Sequence, residues 1–465
     1  ISRKERVSVA KQPFEPVSSF ISGNCFNEFT KYKLVISFKC AIFTKKLSMN
    51  DKILDPRIKK FHDAIIDYTN SIYSICDYFQ DNFMLLQRLQ SRYKQDLLTY
   101  IKDKCKTQGD NLIVSPDKFN EAKLLISKSN RANKALRVLP QSLVVAMVSQ
   151  YDSLVSNLIR LVYEIFPEKL YSSEATITYK QLFSSGDLEQ LKNQIIEDKI
   201  ETTLRKSHEE QLKDMSKLIN NISLDKFSLK KEFIEITQRR NLFVHCNGKV
   251  SKQYIDNCAN AGIERIAKEG DILEVDEKYF NNAFYVLFCV GIMLAQTIIR
   301  VLLDKDKSVL ADIDSSLNNV IYEAIFDEKY NIAIYLSEFA TSSVMKHSCQ
   351  KDVLYFILNQ AQAYKWAGNE DKCRETLAKA DFSAVLPDFQ IAKLALEENI
   401  DELCKLMKML GKNGSVMTAV AYASWAIFKQ VRSNPLFQAT YEAIFGEPLN
   451  IVIEEKVETL EQIGN

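Results

Sequence analysis

The stretch QSLVVAMVSQYDSLVSNLIRLVYEIF, Gln141–Phe166, decides the fold class. Leu143, Met147, Tyr151, Leu154, Leu158, Leu161 and Ile165 recur in it at intervals of three and four. That interval follows the 3.6-residue turn of an α-helix, whereas a strand would alternate every second residue. Pro140 stands where the first helical residue belongs, at which a missing N–H costs nothing, and Pro167 stops the helix. Upstream, Ile58–Cys105 carries the same spacing through Phe61, Ile65, Ile72, Phe79, Phe83 and Leu86, which predicts one long helix or a helical hairpin. Gly109-Asp110-Asn111 is a break, and a helix is expected over Asp117–Ala135. Downstream, a short helix is expected near Tyr179–Phe183, with a break and cap at Ser185-Gly186-Asp187. Further helices follow over Leu188–Arg205, Glu209–Asn220, Leu229–Phe243, Ser251–Ala261 and Lys278–Leu303.

The last third changes character. Val353–Trp366, a Gly368-Asn369 turn and Asp371–Ala380 form a helix-turn-helix unit. Asp388–Glu397 with Ile400–Leu410, and Ala419–Lys429 with Pro435–Phe445, repeat the plan, and Asn318–Glu323 with Asn331–Ala340 precede it. Ala361, Ala363, Tyr364, Gly368, Leu377 and Ala380 resemble the small-residue and aromatic pattern of a tetratricopeptide repeat. Such pairs must stack to bury their faces, and the resemblance implies grooves that bind a protein partner or a trigger.

Composition agrees with an all-α chain. In 465 residues there are only 12 Gly and 9 Pro, too few turn formers for many short strands. A hydrophobic share of 46% and a charged share of 26% are those of an ordinary globular protein, and the length predicts two or three domains. A net charge of +1 gives no global attraction to nucleic acid, so such a site must be a local patch. The ten cysteines have no Cys-x-x-Cys spacing, which argues against structural zinc and a disulfide framework and for buried thiols in a reducing cytosol. No metal or other cofactor is expected. The apolar run Ala283–Ala295 falls short of the roughly twenty residues that span a bilayer, and Leu34–Phe43 is shorter still, so no membrane partner is expected. The buried helix of a globular core accounts for the first run. Residues 1–48 lack the pattern of a signal peptide and are expected to lie outside the native product or to be poorly ordered.

The functional reading rests on Thr237–Gly248, TQRRNLFVHCNG. RNA is cut when a 2′-hydroxyl attacks the adjacent phosphorus. One group must take the hydroxyl proton, another must protonate the leaving oxygen, and the extra charge on phosphorus needs a cation. Histidine titrates near neutrality, and arginine stays charged and forks onto phosphate oxygens. This stretch holds Arg239, Arg240 and His245 in a chain with four histidines. Asn241 and His245 are four apart and share a helical face, so the Asn241 amide is placed to fix the imidazole tautomer. Arg240 and His245 are five apart, about 140° around a helix, and converge only if the arginine bends, the helix ends, or a second subunit completes the site. Residues 228–252 carry Lys230, Lys231, Arg239, Arg240, Lys249 and Lys252 against Glu232 and Glu235, a net of four positive charges.

Arg240-Asn241-x3-His245 resembles the Arg-x4–6-His signature of the HEPN superfamily of α-helical ribonucleases. The wider phrase Arg-Arg-Asn-Leu-Phe-Val-His-x-Asn-Gly-x-Val-x-x-x-Tyr, completed here by Val250 and Tyr254, resembles HEPN-like nucleases of bacterial defence and toxin systems. Arg-x4–6-His alone is a weak pattern, and demanding Asn directly after Arg lowers its chance rate about twentyfold. The resemblance covers roughly Pro140–Leu303. It implies a helical bundle that dimerises with its motifs facing each other, an RNA substrate and no metal. Arg240 would stabilise the transition state, His245 would transfer protons and Asn241 would orient it, with Arg239, Lys249 and Lys252 holding the RNA backbone. His208, beside Glu209 and Glu210, reads as a surface residue, and His62 and His347 have no partner pattern.

The expected organisation is a leader over 1–48, an N-terminal helical segment over 49–136, a HEPN-like bundle over 137–305, tetratricopeptide-like repeats over 306–450 and a tail over 451–465. The expected function is a cytoplasmic, dimeric, metal-independent endoribonuclease. The alternative is a non-catalytic dimerising scaffold whose repeats bind protein, with His245 a cap or a buried hydrogen-bonder near the Asn247-Gly248 turn.

Overall fold

The computed structural model describes residues 55–449 except 109–110, 172–186, 221, 225, 265–266, 304, 344 and 384. The expected leader and tail and the short helix near Tyr179–Phe183 lie outside these residues. The described chain is all-α, with a single two-stranded hairpin among the described residues.

Helix α1 runs unbroken over Pro56–Lys104, opened by Pro56 at its first position and by the Asp55 carboxylate, which accepts from the Arg57 N–H at 2.8 Å. Strands β1 (Cys105–Gln108) and β2 (Asn111–Val114) turn the chain back, pairing Cys105 with Val114 and Gln108 with Asn111. The break expected at Gly109-Asp110-Asn111 falls between these paired strands, and its first two residues lie outside the described ones. Helix α2 then runs over Phe119–Ile165 with Pro140 inside it. This corrects the expected division into two helices. Proline removes one hydrogen bond from a helix interior, but residues on both sides of Pro140 pack against α1, and that tertiary contact carries the helix through. The boundary expected at 136/137 thus falls inside one helix.

Helices α1 and α2 form a long antiparallel hairpin. Near the body, Ile58, Phe61, Ile65, Ile72 and Cys76 of α1 and Val144, Met147, Tyr151, Val155 and Leu158 of α2 share one core. Beyond Phe79 the contact narrows to a seam, with Phe83, Leu86, Gln90, Tyr93, Leu97 and Tyr100 recurring at intervals of three and four. This part projects as an arm, and Met84, Leu85, Leu98, Phe119 and Leu124 on it are exposed.

The short α3 (Glu168–Tyr171) leads to α4 (Leu188–Leu204), α5 (His208–Leu218), α6 (Lys230–Cys246) and α7 (Lys252–Asn260). Helix α8, Glu277–Leu303, is the axis of the body and packs against α1, α2, α6, α9 (Lys307–Phe326) and α10 (Tyr330–Ala340). It is long and apolar enough to cross a membrane, but 78% of its most apolar window is buried inside the chain. Gly291 lets α1 approach it. A Cβ at Gly291 would lie 2.4 Å from Tyr68 Cε1, and the Tyr68 hydroxyl donates to the Leu287 carbonyl at 2.6 Å.

The C-terminal helices are α11 (Gln350–Trp366), α12 (Glu370–Leu377), α13 (Pro387–Leu396), α14 (Ile400–Leu410), α15 (Ala419–Ser424) and α16 (Pro435–Phe445). Helix α15 is shorter than expected, because a 3-10 turn takes over at Ala426–Phe428. The pairs α9/α10, α11/α12 and α13/α14 are closed by one kind of turn. Glu328, Gly368 and Glu398 are left-handed, and the next N–H reaches back to the Ala324, Tyr364 and Leu394 carbonyls at 2.8, 2.9 and 3.1 Å. This is the capping turn in which a left-handed residue lets the following N–H satisfy a free helical carbonyl. Helices α9 and α10 contribute Leu317, Ile321 and Leu336 to the core of the body. A second core forms around Leu358, Ile391, Leu403, Met407, Tyr422 and Phe428. The boundary expected at 305/306 is therefore not a boundary between cores.

Candidate active-site cleft

Helix α6 carries the motif. It ends at Cys246 because Asn247 turns left-handed at φ 49°, Gly248 follows at 79°, and the Gly248 N–H caps the Leu242 carbonyl at 3.0 Å. Asn-Gly is the pair that accepts such angles at least cost. The end of the helix leaves His245 in the last turn, exposed.

Successive residues on a helix point about 100° apart, so Arg239 and Arg240 face different surroundings. Arg239 turns inward. Its Nε donates to Glu235 Oε1 at 2.6 Å, and its guanidinium lies 3.9 Å from the centre of the Tyr279 ring. The Tyr254 and Tyr279 hydroxyls donate to the same carboxylate at 2.7 and 2.8 Å. Burial opposes the charge on Arg239, but Tyr279, Glu235 and Tyr254 outweigh it and raise its pKa. Burial, with Glu235 beside them, raises both tyrosine pKa values, so both phenols stay protonated and donate. Arg239, expected to hold RNA, is instead built into this interior cluster, as is the Tyr254 that ends the motif phrase.

Arg240 turns outward into a cleft of about 450 Å³, whose lining includes Asp152, His208, Arg240, Asn241 and His245. Its Nη2 donates to Asp152 Oδ2 at 3.3 Å and its Nη1 to Asn241 Oδ1 at 3.1 Å. Its Nε is buried without a hydrogen bond among the described residues. Asn241 was expected to orient His245. The structure gives its carbonyl oxygen to Arg240 instead, and no hydrogen bond joins it to His245 among the described residues. Arg240 and His245 line one cleft although they stand about 140° apart around the helix.

Two cleft residues escaped the sequence reading. Asp152 lies on α2, the only charged residue between Arg137 and Arg160, and that isolation in an apolar helix was the available signal. Its second oxygen, Oδ1, lies 3.0 Å from His208 Nε2. His208 is not a surface residue. It is only 6% exposed and packs against Tyr151 and Phe233. Ser207 and Glu210 form a reciprocal capping box at the start of α5, which makes His208 the first helical residue and turns it towards α2.

Other cations at the cleft mouth are already paired, Arg205 with Glu201 and Lys206 with Asp214. The first of these pairs is largely exposed and holds weakly. Lys249 and Lys252 are exposed but do not line the cleft. Among the described residues no group of three or more His, Cys, Asp or Glu is placed to hold a metal. In comparisons with known proteins, no family model, no curated sequence and no solved structure matches this chain.

Proposed function

We propose that the chain is an endoribonuclease of the HEPN type, working without a metal in the cleft between α2, α5 and α6. The observation that carries this reading is that Arg240 and His245 line one solvent-open cleft while Asp152 and Asn241 aim the guanidinium. The exposed His245 takes the proton of an RNA 2′-hydroxyl as its oxygen bonds to phosphorus. Arg240 stabilises the added charge on the phosphoryl oxygens. The bond from phosphorus to the 5′-oxygen breaks, and that oxygen takes a proton from an imidazolium, supplied by His245 or by the same residue of a second copy. The products are a 2′,3′-cyclic phosphate and a 5′-hydroxyl. DNA, with no 2′-hydroxyl, is not a substrate. The helix pairs at the C-terminus recruit a protein partner or trigger.

The scaffold reading draws on one observation, that Asp152 already offsets the charge of Arg240. One experiment separates the two. Purified protein is incubated with total cellular RNA in EDTA beside His245→Ala and Arg240→Ala. Cleavage that persists in chelator and falls at least about a hundredfold in each variant supports the nuclease. A folded wild-type protein that leaves RNA intact supports the scaffold.

A further inference from the structure

The arm carries a charge that the cleft does not use. Between residues 82 and 95 on α1 stand Arg88, Arg92 and Lys94, and between residues 122 and 139 on α2 stand Lys123, Lys128, Arg131, Lys134 and Arg137. Neither stretch holds a single carboxylate, in a chain whose net charge is only +1. The two stretches lie side by side. Gln90 Nε2 donates to Asn133 Oδ1 at 2.7 Å, and the Lys128 ammonium lies 5.9 Å from the centre of the Tyr93 ring. Among the described residues the only ion pair these cations make is Arg92 with Asp96, at 3.9 Å and well exposed. The tip beyond them is charge-balanced. Residues 96–121 hold Lys102, Lys104, Lys106 and Lys118 against Asp96, Asp103, Asp110, Asp117 and Glu121, four minus five.

The band is also oriented. At 100° per residue, Lys123, Arg131, Lys134 and Arg137 fall within an arc of about 120° on α2, and Asp152 falls within the same arc. Asp152 is the residue that holds Arg240 in the cleft. One helix therefore carries the basic face and a cleft wall, about 22 Å apart from Arg137 to Asp152 and about 43 Å from Lys123. Where the segment through Leu273 crosses this face, Gln141 donates to the Leu273 carbonyl at 3.1 Å. Gly248 sits against Gln141 there, a Cβ on it coming within 3.3 Å of Gln141 Nε2. The exposed Lys249 follows Gly248 beside this crossing, with its side chain near Gly270.

We infer that the basic face of the arm is a docking track for single-stranded RNA, which holds the backbone by its phosphates and leads it past Lys249 to the cleft. The inference rests on the ribonuclease reading for the identity of the polyanion. A row of cations free of carboxylates matches a phosphate backbone and releases its counterions. An arm made to meet anionic lipid would carry its cations at the leading end, beside the exposed Leu112 and Ile113, where the charges here cancel.

The test measures binding apart from cleavage. A fluorescent twenty-nucleotide single-stranded RNA of mixed sequence is titrated in EDTA with full-length His245→Ala. The titration is repeated with the same protein carrying Arg131→Ala, Lys134→Ala and Arg137→Ala. The track requires the arm variant to bind roughly tenfold or more weakly at about 0.1 M salt. Three lost phosphate contacts should also flatten the slope of log affinity against log salt by about 2. Equal melting midpoints certify the fold, and Lys134→Glu alone, read by the same slope, replaces a triple variant that melts early. Equal RNA affinities overturn the track, as does a parent protein that binds no RNA. Loss of binding to phosphatidylserine vesicles with RNA binding retained overturns it in favour of a membrane. RNA held through the arm by a wild-type protein that never cuts it upholds the track and removes the ribonuclease reading.

Discussion

Asp152 is the residue on which the cleft turns. It divides its two oxygens between His208 and Arg240, 3.0 and 3.3 Å away, and so joins α2, α5 and α6 at one point. It touches no reacting atom in the proposed chemistry and acts by aiming the guanidinium. Asp152→Asn keeps the shape and loses the charge that holds Arg240. We expect kcat on RNA to fall roughly tenfold to a hundredfold with KM little changed, as for a catalytic group displaced by about an ångström. Single-turnover cleavage at saturating RNA measures this, and an unchanged kcat would remove Asp152 from the mechanism. Much of the cleft was legible residue by residue. Arg240 and His245 were visible from the motif, and Asn241 was placed correctly but given the wrong partner. Arg239 was misplaced for a physical reason, since its neighbour 100° away faces solvent while it meets Glu235 and two buried phenols supplied by other helices. No local pattern reports those partners.

At the scale of elements, the apolar spacing located nearly every helix, because burial along one stripe imposes that spacing on the sequence. Errors fell where contact overrides local preference. Pro140 reads as a helix start and lies in a helix interior. Glu328 and Glu398 occupy the left-handed position that Gly368 fills in the corresponding turn, so two of three equivalent turns carry no glycine signal. Helix α8 shows the opposite case, a glycine whose reason is packing. Gly291→Ala would drive a methyl into the Tyr68 ring, against a hydroxyl already anchored to Leu287. The expected cost is about 1–3 kcal/mol, the usual range for overpacking a filled core. Urea denaturation checks it. A variant as stable as wild type would show that α1 can draw back from α8 at no cost.

Across the whole molecule, one buried knot ties the body to the C-terminal helices. Asp314 on α9 is 1% exposed and meets Arg300 Nη2 of α8 at 2.7 Å. His347 Nδ1 lies 2.9 Å from the same carboxylate, the Ser348 N–H donates to it at 3.0 Å, and Arg300 also donates to the Lys346 carbonyl at 2.9 Å. Burial works against the charge of Asp314, but the His347 hydrogen bond, the Arg300 charge and the Ser348 N–H outweigh it and hold the carboxyl below the usual carboxylate range. Its folded pKa is therefore lower than its unfolded value of about 3.9. The stability it contributes is complete above that value and is lost as pH falls through the lowered folded one. Asp314→Asn, which strands Arg300 in the interior, should cost about 3–5 kcal/mol at pH 7. Below about pH 4 the gap to wild type should narrow. Denaturation midpoints taken between pH 7 and pH 3 decide this, and a gap that stays constant with pH would show that Asp314 is not the titrating group.

The sequence by itself determined that the chain is all-α, where most helices begin and end, and which short stretch gathers Arg240, Asn241 and His245. These are local facts, written in the spacing of apolar side chains and in capping residues that act within one turn. Only the tertiary structure decided the rest. It ran α2 through Pro140 as one helix beside α1, sent Arg239 inward and Arg240 outward, and buried His208 on Asp152. Each of these depends on contacts between residues tens to hundreds of positions apart, and such contacts form only when the helices pack.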